Sequence, residues 1–443
     1  MASGYNSTIY FPNKDGTANQ YKVSVKVTES TDALNIRSYV TISATISPNG
    51  STWAGAEKTM EILWNDGIVG STGLTSLLSG QSHTASGSFY VYHNGISGAA
   101  SGTVKVKIHS GSSHYASPGN TTVSAGTATL PTLTIPGLPT SSLSYSDIKP
   151  TQATIKSTTA GTVSYVKKNA STILSQLMTS YPDLPLMVMS DGSVWLRVFN
   201  HDNRAGAVLF TSSEALNTQQ TYKYSRLNIL DNNLKNSSGK FEFLLRYPTL
   251  SKTEYNRWRQ TNAPQNEYVT QGSNSKVAGY EAVSISWTGE GWGGLERSQG
   301  GYALADGYTG HDNWWYALAS YQVFQNGVPG PDTKVNYRQQ ELWVRVPNIT
   351  GTTVAATANT NLTISNLEPE TDYLLCSDVS SNVGYGFSTV ITITTPTDQA
   401  RAYIKKDGAW VKGKLFIKEN GQWIKSKKVY IKNTSSWKQG INN

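Results

Sequence analysis

Cysteine is almost missing from this chain. Its 443 residues include one, Cys376, so there is no internal disulfide framework and stability must come from packing, as expected of a protein made in a reducing cytosol. Long apolar runs are missing too: no stretch of 18 apolar residues occurs, which excludes a helical membrane span. The opening MASGYNSTIYFPNKDG lacks the basic and apolar regions of a signal peptide, so none is expected. The six histidines are scattered, and none forms a metal-ligand pattern such as H-E-x-x-H. Nucleophile elbows, Walker loops and Rossmann glycine patterns are absent. The run Gly289-x-Gly291-x-Gly293-Gly294 does not open a helix and says nothing about phosphates. No cofactor and no metal are expected, and the chain is read as non-enzymatic.

What is abundant is Gly, Ser, Thr, Asn and Tyr, with few long helical patterns, which places the chain in the mostly β class. Its length allows three to five domains. The net charge of +8 is not spread evenly. Residues 401–443 hold 11 Lys/Arg and 2 Asp/Glu, whereas the other 402 hold 26 and 27, so the basicity belongs to the tail. The expected fold is a multi-domain chain of β-sandwich or jelly-roll-like units with one small α+β segment and C-terminal β-hairpin repeats.

Taken in order, residues 1–132 alternate as seven to nine short strands, among them those opening at Tyr21, Tyr39 and Thr103, with turns at Asn65-Asp66-Gly67 and His93-Asn94-Gly95. An immunoglobulin-like sandwich is expected. The opening MASG, Tyr90-Val-Tyr-His-Asn-Gly and Ala128-Thr-Leu-Pro-Thr resemble a tail-protein domain of siphoviruses that infect Gram-positive bacteria. Pro131 to Pro150 reads as a linker. Within 133–165, Ser146 to Lys156 resembles the first strands of a fibronectin type III domain. Residues 166–223 read as a small α+β unit: a helix capped by Asn169 or Ser171 buries Ile173, Leu174, Leu177 and Met178, ends at Pro182 and Pro185, and precedes a hairpin turning at Asp191-Gly192. Residues 224–347 hold six of the twelve tryptophans and resemble a jelly-roll-like domain of phage fibre and adhesin-type proteins. In 348–397, Leu362-Thr-Ile-Ser-Asn-Leu to Tyr373 resembles the fibronectin type III corner at which a tyrosine hydroxyl bonds to backbone. That segment is too short for a whole module. Either residues 147–157 supply its first strands and the Trp-rich domain is inserted, or residues 341–347 serve twice.

The chain is organised around residues 282–320, where Trp287, Trp292, Trp314 and Trp315 sit among three tyrosines and many glycines. Alternation predicts a strand at Ala282–Trp287, a second at Trp315–Tyr321, and a loop of about 25 residues between them, either a recognition surface or an irregular core. Trp287, Trp315 and Trp343 fall in alternating strands and are assigned to the core. Trp292, between glycines, has no such reason to be buried. With Trp314, Tyr302 and Tyr308 it is a candidate sugar platform, with Glu290, Arg297, Asp306 and Asp312 as polar partners for hydroxyls. Two competing readings use the same loop: Glu290, Glu296, Asp306 and Asp312 as glycosidase carboxylates, and Asp306 with His311-Asp312-Asn313 as a calcium site.

The tail repeats itself every 13 or 14 residues: Tyr403-Ile-Lys-Lys-Asp-Gly-Ala-Trp410, Phe416-Ile-Lys-Glu-Asn-Gly-Gln-Trp423 and Tyr430-Ile-Lys-Asn-Thr-Ser-Ser-Trp437. Each unit is expected to be a hairpin, with Asp407-Gly408 and Asn420-Gly421 as turns and Thr434-Ser435-Ser436 departing from the pattern. These repeats resemble the IK-NG-W C-termini of phage tail proteins. The resemblances together imply a virion structural protein of a tailed phage: a fibre, tail-tip or receptor-binding component made in the host cytoplasm and exposed on the particle. Its implied partners are other virion proteins, further copies of itself and host surface polysaccharide. Lysines alternating with Ile, Val and Tyr protect β edges, so docking or oligomerisation is expected of the tail rather than nucleic-acid or teichoic-acid binding. A decoration protein of capsid, collar or tail without a ligand, and a cell-wall polysaccharide depolymerase, are the alternatives.

Overall fold

The computed structural model describes all residues except 1–4, 13–15, 17–18, 34–36, 51, 53–57, 75, 94–97, 111–120, 135, 204–207, 274, 325–326, 332–336, 398–400, 407–408, 415, 420–421, 426–429, 434–435 and 440–443. The chain is mostly β, with several separate antiparallel sheets. No helix among the described residues is long and apolar enough to cross a membrane.

Eight strands make the N-terminal unit: β1 (Tyr5–Phe11), β2 (Tyr21–Asp32), β3 (Arg37–Pro48), β4 (Lys58–Trp64), β5 (Gly67–Leu74), β6 (His83–Tyr92), β7 (Ala100–Ser110) and β8 (Thr121–Leu130). They form two sheets, β1-β2-β3-β6 and β5-β4-β7-β8. Period-two alternation drives them together: Tyr21, Val23, Val25 and Val27 are buried while Lys22, Ser24 and Lys26 face solvent. Asn65 and Asp66 turn β4 into β5 with φ of 47° and 68°, the left-handed pair of a tight hairpin. The Asn94-Gly95 turn lies outside the described residues.

Three further strands follow, β9 (Leu143–Lys149), β10 (Gln152–Ser157) and β11 (Gly161–Lys167). The linker expected to reach Pro150 therefore ends at Ser142, because β9 pairs with β10. Next come α1 (Thr172–Ser180), β12 (Leu186–Val188), β13 (Ser193–Asp202), α2 (Ser212–Leu216), β14 (Thr218–Gln219), β15 (Lys223–Ser225), β16 (Phe241–Arg246), β17 (Asn256–Gln260), β18 (Glu281–Ile285), β19 (Trp292–Arg297), β20 (Ala303–Tyr308), β21 (Leu318–Ser320) and β22 (Gln339–Thr350). Of the two predicted caps of α1, Ser171 serves: its hydroxyl accepts from the Leu174 amide, and Leu174, Leu177 and Met178 are buried. Strands β12 to β18 and β22 form one eight-stranded sheet, ordered β14-β15-β13-β22-β16-β17-β18 with β12 beside β13. Its long central pair is β13 with β22, from Ser193↔Thr350 to Asp202↔Gln339. The α+β segment and the Trp-rich segment thus share a sheet and a core, and no boundary at residue 223 separates them. The three-stranded sheet β19-β20-β21 contributes Leu295, Ala305 and Leu318 to that core.

The chain then returns through β23 (Thr352–Ala356), β24 (Asn361–Ser365), β25 (Asp372–Ser381), β26 (Gly384–Phe387) and β27 (Ile391–Thr394). Strand β10 pairs with β24, and β11 lies between β23 and β25. One sandwich is therefore assembled from residues on both sides of a long insertion; of the two arrangements open to the sequence, it is the first that is observed. Its core joins Ala153, Ile155 and Val163 to Ile364, Tyr373, Leu375 and Ile393. The Tyr373 hydroxyl accepts from the Glu368 amide at 2.8 Å, the corner bond its sequence context predicts. Beyond it, β28 (Arg401–Lys406), β29 (Ala409–Lys414), β30 (Phe416–Glu419), β31 (Gln422–Lys425), β32 (Tyr430–Asn433) and β33 (Ser436–Gln439) make three separate two-stranded hairpins. The terminal pairs Lys406↔Ala409, Glu419↔Gln422 and Asn433↔Ser436 each leave a two-residue connection. The predicted turns Asp407-Gly408 and Asn420-Gly421, and residues 434–435 of the third repeat, lie outside the described residues; the strands of the third repeat keep the two-residue spacing of the other two.

Candidate functional site

Residues 288–314 are not the loop that glycine content predicts. They contain β19 and β20, paired antiparallel from Trp292↔Tyr308 to Arg297↔Ala305. Glycine is there because rings lie where Cβ atoms would stand. A Cβ on Gly307 would be 2.7 Å from the Trp292 indole, and one on Gly291 would be 2.7 Å from the Tyr308 ring. Gly300 is covered by Tyr302 in the same way. At these three positions glycine beside a large ring is a packing device.

The eight candidate ligand residues separate accordingly. Trp292 is 8% exposed, edge-on to Trp258 at 5.0 Å and tilted against Tyr316 at 4.7 Å. Trp314 is also 8% exposed and meets Tyr302 edge-on at 4.1 Å. Neither indole presents a free face, which corrects their assignment as a sugar platform. Trp287, assigned to the core, is only half-buried and lies edge-on to Tyr247 at 5.2 Å. Trp315 and Trp343 are buried as expected. Tyr302, Tyr308 and Glu290 are half-buried, while Arg297 and Asp312 reach solvent. Tyr308 stacks on His311 at 4.1 Å, the Arg297 guanidinium sits 5.6 Å over the exposed Tyr268 ring, and Asp312 accepts from the Gln271 amide.

Asp306 and Glu296 face each other across β19 and β20, both fully buried. Glu296 ties three segments together: its carboxylate accepts from the Val269 amide at 2.7 Å, from the Gly310 amide, and from the Gln299 side chain at 3.1 and 3.0 Å. Burial still pushes its carboxyl above the ordinary carboxylate range, against those bonds. Burial pushes Asp306 much further, and the charge of Glu296 adds to it; Ser298 and the Tyr308 amide lie close enough to oppose the shift, yet neither Asp306 oxygen has a hydrogen bond of good geometry. Asp306 is thus a carboxyl in a closed interior where burial disfavours its charged form, set apart from the surface carboxylate Asp312. That separation removes Asp306 from the calcium set proposed with His311-Asp312-Asn313. Among the described residues, no group of three His, Cys, Asp or Glu side chains is disposed to hold a metal.

Sequence reasoning missed the face of the eight-stranded sheet that points away from this core. Its charges stand in rows across the strands. In one row Trp195, Arg345, Glu242, Arg259 and Glu281 are neighbours; in the next, Arg197, Trp343, Leu244 and Arg257. A third pairs Glu341 with Arg246, and Glu341 also binds Arg197 at 2.9 Å. The signal was available in strands such as Asn256-Arg-Trp-Arg-Gln, where charge falls on every second residue, but alternation alone does not distinguish a solvated face from an organised one.

No family model matches the sequence, and no curated protein matches it. Among solved structures, Salmonella alpha-2-macroglobulin reacted with methylamine is similar at 10% identity over 91% of this chain and 25% of that one, with a TM-score of 0.10. The chain thus spans about a quarter of that protein's length, and so faint a likeness carries no argument.

Proposed function

We propose that this chain is a non-enzymatic structural protein of a tailed-phage particle, a fibre, tail-tip or receptor-binding component that docks through its C-terminus. The observation that supports this reading most is the set of three terminal hairpins, each pairing only within itself among the described residues. A two-stranded hairpin is marginal in isolation, so elements of this kind gain stability by lying against a neighbour. Their lysine-rich composition keeps them soluble until a partner covers them. The sandwiches strung before them, and the resemblance of the repeats to phage tail proteins, fit the same role. Contact with host glycan, on this reading, falls to the accessible side chains of the central unit, Arg297, Asp312, Tyr302 and Tyr308, rather than to an indole platform.

The burial of Trp292 and Trp314 favours a second reading, a decoration protein of capsid, collar or tail without a ligand. Phage carrying Arg297→Ala with Asp312→Ala separates the two: slower adsorption with normal incorporation supports the receptor role, and unchanged adsorption supports decoration. Deleting residues 401–443 should leave particles without this protein. Normal incorporation of the truncated chain, or absence of the chain from purified particles in electron-microscopy maps, would overturn the proposal.

A further inference from the structure

The charged face of the eight-stranded sheet is not covered evenly. At one end β26 lies over it: Phe387 packs on Trp343 at 4.9 Å and Arg246 sits 4.5 Å over the Tyr385 ring. At the other end the row containing Arg345, Glu242 and Arg259 borders a cavity of about 110 Å³. Its wall includes three cations, Lys240, Arg259 and Arg345, one carboxylate, Glu242, and two amides, Asn236 and Asn348. The space exceeds what one water needs by several-fold and admits a small oxyanion.

The carboxylate in this wall is already saturated. Glu242 Oε1 accepts from Arg257 Nε at 2.7 Å, and its Oε2 from Arg259 Nε and Arg345 Nη1, each at 3.0 Å. The cations are engaged unevenly: Arg259 also pairs with Glu281, whereas Lys240 is held only loosely. The Arg345 side chain is about a third exposed and gives Nη1 to Glu242. Among the described residues Lys240 reaches only Glu281, at 3.5 Å. The strand itself opens to make room. Val346 lies opposite Val194, but the next paired residue, Thr350, lies opposite Ser193, so Pro347, Asn348 and Ile349 bulge from β22. Asn348 takes a left-handed φ of 60° there. Bulges that re-aim a strand concentrate beside binding sites.

We propose that this cavity binds a phosphoryl group, with Lys240, Arg259 and Arg345 as its donors. Three cations, one on β17, one on β22 and one just ahead of β16, line the cavity, which suits a tetrahedral oxyanion better than a planar carboxylate, whose natural partner is the fork of one arginine. Bound oxygen atoms would draw Lys240 from its long contact with Glu281. The site does not depend on the particle role proposed above.

Titrating the full chain calorimetrically with inorganic phosphate, dimethyl phosphate and sodium glucuronate tests it. Saturable binding of a phosphate, weakened by added salt, is expected, with glucuronate at least about tenfold weaker, the loss typical of one charge-assisted bond. Binding of inorganic phosphate alone would mark a monoester site, and binding of dimethyl phosphate as well a site for phosphodiester polymers; either supports the proposal. Arg345→Gln and Lys240→Gln should each weaken binding about tenfold or more. Should Arg345→Gln fail to fold, Lys240→Gln still decides, since its side chain is on the rim and should leave the unfolding transition unchanged. No saturable phosphate binding, glucuronate binding as tightly as phosphate, or undiminished binding by a folded Lys240→Gln would each overturn the proposal.

Discussion

Trp292 is more buried and Trp287 less buried than their sequence contexts assign them, and the reason lies in their neighbours. Trp287 ends an alternating run, which predicts burial, but β18 is an edge strand with four exposed residues in five, and its end is only half covered. Trp292 is flanked by glycines, which predicts exposure, yet the glycine across the strands, Gly307, makes the space its indole fills. Trp292→Ala should therefore destabilise the central unit by about 3–5 kcal/mol, as removal of a buried aromatic does, with Trp287→Ala costing clearly less. Gly307→Ala should cost about 1–3 kcal/mol by overpacking the same ring. Denaturant unfolding of the three variants checks the order, and equal losses for the two tryptophans would contradict it. Asp306 offers a second test. Its folded-state carboxyl lies well above the ordinary 3.8, so its contribution is fully present below that value and is lost as the pH rises through the raised one. Asp306→Asn keeps the shape of the neutral acid without titrating. The variant should match the parent near pH 3 and exceed it in melting temperature increasingly toward pH 7. A difference that stays constant with pH would show that Asp306 is not buried in its neutral form.

At the scale of elements, what was legible is what is local. Alternation located most of the strands of the N-terminal sandwich, Ser171 and the Leu174–Met178 face located α1, and a 13- or 14-residue repeat located three hairpins. Pairing between distant strands was not legible: nothing in Ser193–Asp202 says that its partner is Gln339–Thr350, so one sheet was divided in two. The segment 288–314 was misread for another reason, since glycine serves a positive φ at Gly301 and Gly310, close approach to a ring at Gly307 and both at Gly291, and composition does not say which. The hairpins carry their own prediction. Their ladders are short, six pairs in the first and four in each of the others. In the free chain, amides of 401–439 should exchange within seconds to minutes, far faster than those of β13 or β22. In the assembled particle they should be protected, because docking covers their open edges. Equal, rapid exchange in both settings would show that the tail does not dock.

For the whole molecule, the decisive arrangement is a sandwich interrupted by a second unit. The chain leaves β11 near Lys167 and returns at Gly351, and the two ends are adjacent because Tyr165 pairs with Thr352. An insertion whose ends meet on neighbouring strands of its host needs no rearrangement of that host, only a turn to replace it. Excising residues 168–350 and joining the ends through Asn-Gly should therefore leave a sandwich built on Ala153, Ile155, Val163, Ile364, Leu375 and Ile393. One consequence of removal must be offset: Val166, Leu374 and Cys376 belong to the core of the inserted unit and would be uncovered. Val166→Thr, Leu374→Thr and Cys376→Ser make that face polar while keeping β-compatible side chains. The shortened chain should give a β-type circular dichroism spectrum, a cooperative unfolding transition and slow exchange at the Glu368 amide, which donates to the Tyr373 hydroxyl. Slow exchange at that amide is specific to this corner and would not follow from a collapsed chain with strands in another register. If the excised, surface-corrected chain shows no cooperative transition, the two halves of the sandwich depend on the insertion to bring them together, and the host and the inserted unit are one folding unit rather than two.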